Sequence, residues 1–508
     1  MSKLKVASIL FLLSTFILKF SSMIRDLIIA GLFGDSYQAD AYIAAMTIPN
    51  ALVLFLLTGM KDAFLPSYYK FHALGRGDEH LTNIVKGTMW MSLAYSIIGI
   101  VLAAPIVRIF YPSFAQYEDG FFIATWTVVI YFASLVFVGV NAVYEGFFDA
   151  NRKFSFSVFS QTSVVLMTIV FALAFHEVWG ILAVPIGYLV GTILSLLIKL
   201  IYRTPKKFLN WKQPLNKAEV REFYNIFWPV GLTIAVGQIN LMVNTFYAAG
   251  LGEGTVANLN YAFRLVNIPQ AIFGVTIATI AFPIIAQARV MHNMDHFRKG
   301  IEKGILYMLV FITPTLAGMW LLMEPLVSTV YERGAFDAEA TTLTASYAIL
   351  YIGSTFFYSI QAVIAKGFYT LEKGHYMMRI GLLSIGLNII SNYVFAHLFG
   401  APGIALSASL VGMFYSTITF TMLWKLIDGM ETKYLLKNGL QIVIATAAMI
   451  SILIVIEWQT AVSSLPSLIH IIVLGGLGAV IYFAVLLLFK NEFAKKLIER
   501  GGKPSSLI

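Results

Sequence analysis

The sequence contains no cysteine among its 508 residues. This absence excludes disulfide bonds, thiol chemistry, cysteine-ligated zinc and iron–sulfur clusters, although it says nothing about the cellular compartment. Charged residues are scarce as well, at 12% of the chain, whereas soluble domains average roughly 25%. Hydrophobic residues make up 59% and the mean hydropathy is +0.80. A water-soluble globular protein and a disordered chain are therefore both excluded.

Enzymatic signatures are also missing from the chain. There is no G-x-x-x-x-G-K-[ST] motif, so a P-loop ATPase is excluded, and there is no H-E-x-x-H or G-x-S-x-G motif. The eight histidines form no metal-like cluster beyond His292 and His296, a pair that we interpret as solvated. We predict no catalytic residue, no resident metal and no cofactor. A secondary transporter fits this pattern better than an enzyme does.

Long apolar runs dominate what is present. A helix needs about 20 apolar residues to cross roughly 30 Å of hydrocarbon, and fourteen stretches meet this requirement. They are 7–33, 39–66, 85–110, 121–147, 155–176, 179–201, 223–250, 255–287, 302–328, 342–370, 376–399, 401–426, 436–458 and 466–489. The sequence thus predicts an all-α integral membrane protein with fourteen transmembrane spans.

Lysine and arginine predict the orientation of these spans. If the N-terminus is cytoplasmic, 28 of the 35 basic residues fall on the inner side, five lie within the spans, and only Arg108 and Arg333 fall outside. Both termini are therefore predicted to be cytoplasmic. The net charge of +9 then reflects this asymmetry and an affinity for anionic membrane lipids rather than a nucleic-acid partner.

This orientation can be tested with single cysteines, because the chain has none of its own. A cysteine at Ser2 or Ser506 is expected to resist an impermeant thiol reagent in intact cells, and a cysteine at Ser36 is expected to react. Labelling of either terminus from outside would contradict the fourteen-span topology.

The chain also repeats itself at an interval of about 220 residues. Ala30-Gly31-Leu32 recurs as Ala249-Gly250-Leu251, Ile48-Pro49-Asn50 as Ile268-Pro269-Gln270, and Leu189-Val190-Gly191 as Leu410-Val411-Gly412. The interval covers six spans, an even number, so the two copies are parallel repeats. We predict a first lobe over 1–202, a basic, solvated cytoplasmic linker over 203–222, a second lobe over 223–428, and two additional spans with a tail over 429–508.

Charged residues within the spans indicate what such a transporter handles, because they usually face a cavity or a partner. The candidates for a substrate-binding cavity are Lys19, Arg25, Asp26, Asp40, Lys61 and Arg264. The excess of cations favours an anionic headgroup, since guanidinium groups bind phosphate oxygens in bidentate fashion. The alternative is structural pairing, for example of Arg25 with Asp40.

Other polar residues give weaker signals. Asn240, Asn388 and Asn392 lie in apolar spans, where most amides form hydrogen bonds between helices and a minority coordinate cations. Glu145 and Asp149, near the inner end of the fourth span, are interpreted as solvated interfacial acids.

Several motifs resemble the MurJ/MviN family of the multidrug/oligosaccharidyl-lipid/polysaccharide exporter superfamily. The resemblance is carried by four segments spread along most of the chain. They are Arg25-Asp26-Leu27-Ile28-Ile29-Ala30-Gly31-Leu32-Phe33-Gly34 with Ala39-Asp40-Ala41-Tyr42, Tyr261-Ala262-Phe263-Arg264-Leu265, Tyr331-Glu332-Arg333-Gly334-Ala335-Phe336-Asp337, and Lys366-Gly367-Phe368-Tyr369.

The resemblance implies a bacterial cytoplasmic-membrane flippase that moves lipid II, the undecaprenyl-linked peptidoglycan precursor, from the inner to the outer leaflet. It implies that Arg25 and Arg264 contact the pyrophosphate–sugar headgroup, with Asp26 and Asp40 as supporting residues. Lys19 stands where the family usually has arginine. Spans 13 and 14 would form a groove for the lipid tail, and cell-wall synthesis enzymes are candidate partners. Asn240, Asn388 and Asn392 fall near the family's sodium site, so coupling to the membrane potential, Na⁺ or H⁺ is expected.

The second span departs from the family pattern. Val53 and Leu54 replace a basic pair, Thr58 replaces an acid, and Lys61 stands about two turns away as a compensating charge. These changes leave open a flippase for another undecaprenyl-linked glycan. A drug/cation antiporter, a membrane glycosyltransferase and a non-transporting scaffold are the further alternatives.

Overall fold

A computed structural model describes residues 3–202, 210–274, 277, 285–289 and 291–494. The first seven residues of the predicted linker and the tail beyond residue 494 lie outside the described residues. Sixteen α-helices have both of their ends within the described ranges, and we number these in chain order. They are α1 Lys3–Phe33, α2 Tyr37–Ala73, α3 Gly77–Val101, α4 Ala103–Phe110, α5 Gly120–Ala150, α6 Phe154–Trp179, α7 Ala183–Tyr202, α8 Lys217–Ala248, α9 Thr255–Val266, α10 Met294–Leu321, α11 Met323–Tyr331, α12 Ala338–Thr370, α13 Gly374–Phe399, α14 Ala401–Leu426, α15 Thr432–Gln459 and α16 Ser467–Leu488.

These helices confirm the predicted fold class. Every predicted span overlaps at least one of them, and ten segments of the described residues are long and apolar enough to cross a membrane. The count of fourteen spans is consistent with this arrangement. One of the ten segments, 154–202, contains both α6 and α7, and the predicted spans 7–33, 223–250 and 255–287 overlap α1, α8 and α9.

Short polar side chains begin several of the helices. Ser36, Asn216, Asn293 and Asp337 each accept a hydrogen bond from a backbone amide three residues further on, at the starts of α2, α8, α10 and α12. Such caps satisfy amides that the helix itself leaves without an acceptor. The apolar runs alone do not locate these starts, which explains why the predicted boundaries differ from the helices by several residues.

Three predicted spans are interrupted. The span 85–110 is divided between α3 and α4 at Leu102, and the span 302–328 is divided between α10 and α11 at Leu322. The span 255–287 contains α9 and then a π-helical turn at Gln270–Gly274, with Pro269 between them. Proline has no amide hydrogen and clashes with the preceding turn, so it interrupts a regular helix.

The repeat seen in the sequence recurs in the backbone. The interruptions at Leu102 and Leu322 are 220 residues apart. The same interval separates Gly180 from Gly400, which end α6 and α13 with positive φ angles of 54° and 66°. Because glycine adopts this region without steric cost, both copies use it to end the equivalent helix.

The chain divides into two compact units. The first contains residues 1–257 and 333–336, and the second contains residues 258–332 and 337–508. Helix α8, which the repeat assigns to the second lobe, lies in the first unit. The lobe boundaries proposed from the sequence stay a prediction, since compactness in one state does not identify the parts that move.

Candidate functional site

Arg25 forms an ion pair on α1. Its Nε and Nη2 atoms both donate to Asp26 Oδ1, at 3.0 and 2.8 Å. The side chains are 24% and 15% exposed. A charged pair with this exposure inside a membrane-spanning helix must face water or polar groups rather than hydrocarbon, because a charge in lipid is costly. The geometry thus supports a polar cavity at this position.

Tyrosine hydroxyls surround the arginine. The hydroxyls of Tyr42 and Tyr131 are among its electrostatic neighbours and lie 3.1 Å apart, and the Tyr188 ring packs on that of Tyr131 with centroids 4.8 Å apart. Sequence reasoning did not select these tyrosines, although Tyr42 lies within one of the motifs that carry the resemblance. Hydroxyls at such a site can bind phosphate or sugar oxygens.

Asp40 does not form the ion pair with Arg25 that the sequence left open as an alternative. The carboxylate is 2% exposed and accepts hydrogen bonds of 2.7 Å from the backbone amides of Gly254 and Ala257, at the start of α9. A helix N-terminus carries partial positive charge and amides without acceptors, which a carboxylate satisfies. Structural pairing of Arg25 with Asp40 is therefore wrong in this state, whereas the role of Asp40 in binding stays a prediction.

The C-terminal end of α1 is held by the turn at residues 333–336, which lies within one of the motifs that carry the family resemblance. Ala335 donates its amide to Gly31 O at 2.8 Å. A Cβ atom on Gly334 would lie 2.2 Å from Gly31 O, and one on Gly34 would lie 2.3 Å from Ala335 O. Only glycine permits this backbone approach, so these glycines have a packing role.

Lys61 forms an ion pair with Asp149, at 2.7 Å between Nζ and Oδ2. Asp149 is 5% exposed and Glu145 is 2% exposed, so their interpretation as solvated interfacial acids is wrong. Glu145 accepts a hydrogen bond from Lys199 Nζ at 3.0 Å, and Lys199 also donates to Asn141. The C-terminal half of α5 is thus buried against basic and amide groups of its neighbours, which its apolar sequence context did not reveal.

The remaining candidates lie on three different helices. Lys19 is exposed on α1. Arg264, on α9, donates from Nε to Asn260 Oδ1 at 2.7 Å. Asn240 is half-buried on α8. Their assignment to a headgroup site or a cation site stays a prediction.

Asn388 and Asn392 share one face of α13. They are 1% and 0% exposed, and Asn392 Nδ2 donates to the backbone carbonyl of Asn388 at 2.9 Å. Within the described residues, no group of three histidine or carboxylate side chains is placed to hold a metal ion. A sodium site at these asparagines would therefore depend on amide and backbone oxygens.

An apolar cavity of about 380 Å³ lies in the second unit. It is lined by α10, α11, α15, α16 and the π-helical turn, and the lining includes Phe273, Phe311, Met449, Leu474 and Tyr482. Helices α15 and α16 are the predicted spans 13 and 14. Such a cavity suits an aliphatic chain, because it offers dispersion contacts and few polar groups.

Solved structures share this fold. One titled "Lipid II flippase MurJ, inward closed conformation" is 23% identical, covers 96% of this chain and 100% of its own, and superposes with a TM-score of 0.81. A multidrug resistance MATE family transporter of the MOP superfamily, in an inward-facing conformation, is 13% identical and covers 81% of this chain and 94% of its own, with a TM-score of 0.67. The chain is thus an all-helical, multi-pass membrane protein with the fold of MOP-superfamily transporters.

Sequence comparisons identify the family. A family profile described as "Lipid II flippase MurJ" matches residues 29–473. A lipid II flippase MurJ from Burkholderia cenocepacia is 27% identical over 81% of this chain and 82% of its own length, and a probable one from Vibrio cholerae is 25% identical over 78% of each. The chain belongs to the lipid II flippase MurJ family, which is a family of bacterial inner-membrane transporters rather than enzymes.

Proposed function

We propose that this protein flips lipid II from the inner to the outer leaflet of the bacterial cytoplasmic membrane by alternating access. The observation that carries the proposal is the apolar cavity beside α15 and α16, because it offers an aliphatic chain dispersion contacts and few polar groups. Membership of the family supports lipid II as the lipid-linked glycan. The Arg25–Asp26 pair supports the binding of an anionic headgroup.

In this mechanism the two ends of the substrate are bound by different chemistry. Arg25 and Arg264 bind the pyrophosphate through charge-assisted hydrogen bonds, which are stronger than neutral ones. The lipid tail stays in apolar surroundings, so only the headgroup crosses the membrane through polar space. Asp26 holds Arg25 between substrates, since two of its five N–H donors go to this carboxylate.

The proposal is tested in a bacterium whose own lipid II flippase can be depleted. Expression of this chain is expected to restore growth and to restore access of an outer-face probe to lipid II. Purified protein in proteoliposomes is expected to move lipid II between leaflets without ATP. If the protein is present at normal levels and neither result is obtained, lipid II is not its substrate.

A second lipid-linked glycan remains a candidate because of the second span. Val53 occupies a position that is commonly basic in the family and is 2% exposed, so it contributes packing rather than charge. A headgroup with fewer anionic groups than lipid II would fit this loss. Proteoliposomes that carry lipid II and a capsule-type undecaprenyl glycan in competition distinguish the two substrates.

The apolar cavity gives a prediction of its own. Gly475 lines it and has open space around its Cβ position. Gly475→Phe is expected to fill the cavity and to slow flipping roughly tenfold, since a lost tail contact of about 1.4 kcal/mol has this effect. Flipping rates in proteoliposomes measure it.

Gly476 provides the matched control for this variant. It is also exposed and also has open space at its Cβ position, but it is not part of the cavity lining. Gly476→Phe is expected to flip substrate at the native rate. Equal rates for both variants would remove the cavity from the mechanism.

A partnership with cell-wall synthesis enzymes stays a prediction.

A further inference from the structure

A buried polar cluster joins the start of α8 to α3. Glu219, in the first turn of α8, is 4% exposed. Its carboxylate accepts hydrogen bonds from His80 Nδ1, from Asn83 Nδ2 at 3.1 Å and from Arg76 Nη2 at 3.5 Å. The other ring nitrogen of His80 lies 2.9 Å from Ser67 Oγ on α2.

The segment before α8 is fixed by the same helix. Lys86 Nζ donates to three backbone carbonyls, those of Asn210 and Trp211 at 3.0 Å each and that of Gln213 at 2.7 Å. Lys86 is only 7% exposed. The described end of the predicted linker is thus bound to α3 through its backbone, although most of the side chains in 210–219 are exposed. The solvated character of the linker as a whole stays a prediction.

The contacts further along α8 are apolar rather than ionic. There α8 packs on α2 through Phe227 against Phe55, with ring centroids 4.7 Å apart. A Cβ atom on Gly59 would lie 2.8 Å from Phe227, and one on Gly231 would lie 2.2 Å from Phe55. These are close apolar contacts between small and aromatic residues, which are typical of helix packing in membranes.

The contrast between the two contacts has a physical meaning. An ionic contact gains little over an apolar one in a permanently closed interface, because its groups lose their hydration on burial. The same groups are well solvated by water when the interface opens. A polar contact at the aqueous end of a helix therefore suits an interface that separates and reforms.

We propose that His80, Asn83 and Lys86 of α3, together with Glu219 and the carbonyls of 210–213, form an inner latch. The latch holds the start of α8 on α3 and must release once in every transport cycle. This proposal rests on the proposed function, because release matters only if the protein transports. It assigns a moving role to a segment that connects the two sequence repeats.

A disulfide can hold the latch closed. A Cβ atom built on Gly87 of α3 lies 3.6 Å from the Val220 Cβ on α8, within the range of about 3.5–4.5 Å found in disulfides. In Gly87→Cys/Val220→Cys, the second substitution also removes the valine methyl groups that would crowd the new side chain. The control is Ser92→Cys/Gly139→Cys, which joins α3 to α5 within one predicted lobe. Its Cβ separation of 3.3 Å is just below this range, so formation of the control cross-link is verified by mass before flipping is measured.

Both variants are reconstituted, oxidised and then reduced, and lipid II flipping is measured in each state. Oxidation of Gly87→Cys/Val220→Cys is expected to lower the rate at least roughly tenfold and reduction is expected to restore it, while the control keeps its rate in both states. Normal flipping by a fully cross-linked Gly87→Cys/Val220→Cys protein would overturn the proposal.

A second measurement does not depend on transport. Glu219→Gln, added to Gly87→Cys/Val220→Cys, is expected to slow disulfide formation at least fivefold, because the weakened latch spends less time closed. Glu222→Gln is the control, since its exposed pair with Lys70 adds little. If neither the native protein nor the reduced double-cysteine protein moves lipid II, the proposed function fails. The rate of disulfide formation then tests the latch by itself. Equal rates for the two glutamine variants would then overturn the latch.

Discussion

Arg25→Ala and Arg264→Ala are each expected to abolish or badly impair export of the lipid-linked substrate while the protein remains in the membrane at normal levels. A charged partner lost from a desolvated hydrogen-bonded pair costs about 2–5 kcal/mol, which corresponds to a loss of binding between roughly thirtyfold and several thousandfold. Arg25→Ala also leaves Asp26 without the guanidinium that neutralises it. An anionic headgroup would then meet a carboxylate in place of a cation.

Lysine replacements separate charge from geometry. Arg25→Lys and Arg264→Lys keep the positive charge but lose the planar fork, so they are expected to recover only part of the rate. Arg379→Ala is the control, because Arg379 is exposed near the inner end of α13. Complementation growth and the flipping rate measure the effect. Normal transport by both alanine variants would make these arginines structural and would remove the cationic headgroup site.

Hydrophobicity made the helices predictable. A run such as 436–458 predicts α15 because a helix satisfies its own backbone in lipid, and the run is too long and too uniformly apolar for a barrel strand. The ends of the helices were harder to predict from the sequence, since they depend on single capping residues such as Asn216 and on the break at Pro269. The repeat was visible in both the sequence and the backbone, because equivalent helices must end with equivalent turns.

The candidate site was predictable by residue but not by partner. Charged residues are rare in the spans, so Arg25 and Asp40 could be selected from the sequence. Their contacts could not, because Asp40 binds amides 214 and 217 residues further along the chain. No periodicity encodes such a long-range pairing.

Buried ion pairs show the same limit. Glu145 lies near a helix end, where acids are usually solvated, yet it contacts Lys199 at a separation of 54 residues. Only the packing of α5 against α7 brings them together. Polar residues near the ends of different spans should therefore be considered as possible partners of one another before they are predicted to be solvated.

Collapse of the membrane potential is expected to stop flipping, whereas removal of sodium is expected to have a smaller effect. The chain has no ATP-binding motif of the P-loop type, so the return of the empty transporter needs another source of free energy. The proposed headgroup residues Lys19, Arg25 and Arg264 keep a net positive charge after Asp26 is counted. A negative-inside potential draws such a charge inward.

The size of this effect can be estimated. One elementary charge that crosses a potential of 100 mV gains about 2.3 kcal/mol, which shifts the equilibrium of the empty transporter roughly fortyfold. A sodium site made of amide and backbone oxygens, as the burial of Asn388 and Asn392 allows, lacks the carboxylate that would make sodium binding strong. We therefore expect sodium removal to change the rate by less than about twofold.

The measurement uses proteoliposomes in which a potassium gradient with valinomycin sets the potential and sodium is varied independently. Flipping is expected to rise with the inside-negative potential at every sodium concentration. The variant Asn388→Ala is expected to keep this dependence on the potential. Arg264→Gln removes one cation, so its residual flipping rate is expected to depend less on the potential. Transport that persists at zero potential and fails without sodium would reverse the assignment. The energy coupling would then lie at the asparagines, because the charged headgroup residues would be moving without a contribution from the membrane potential.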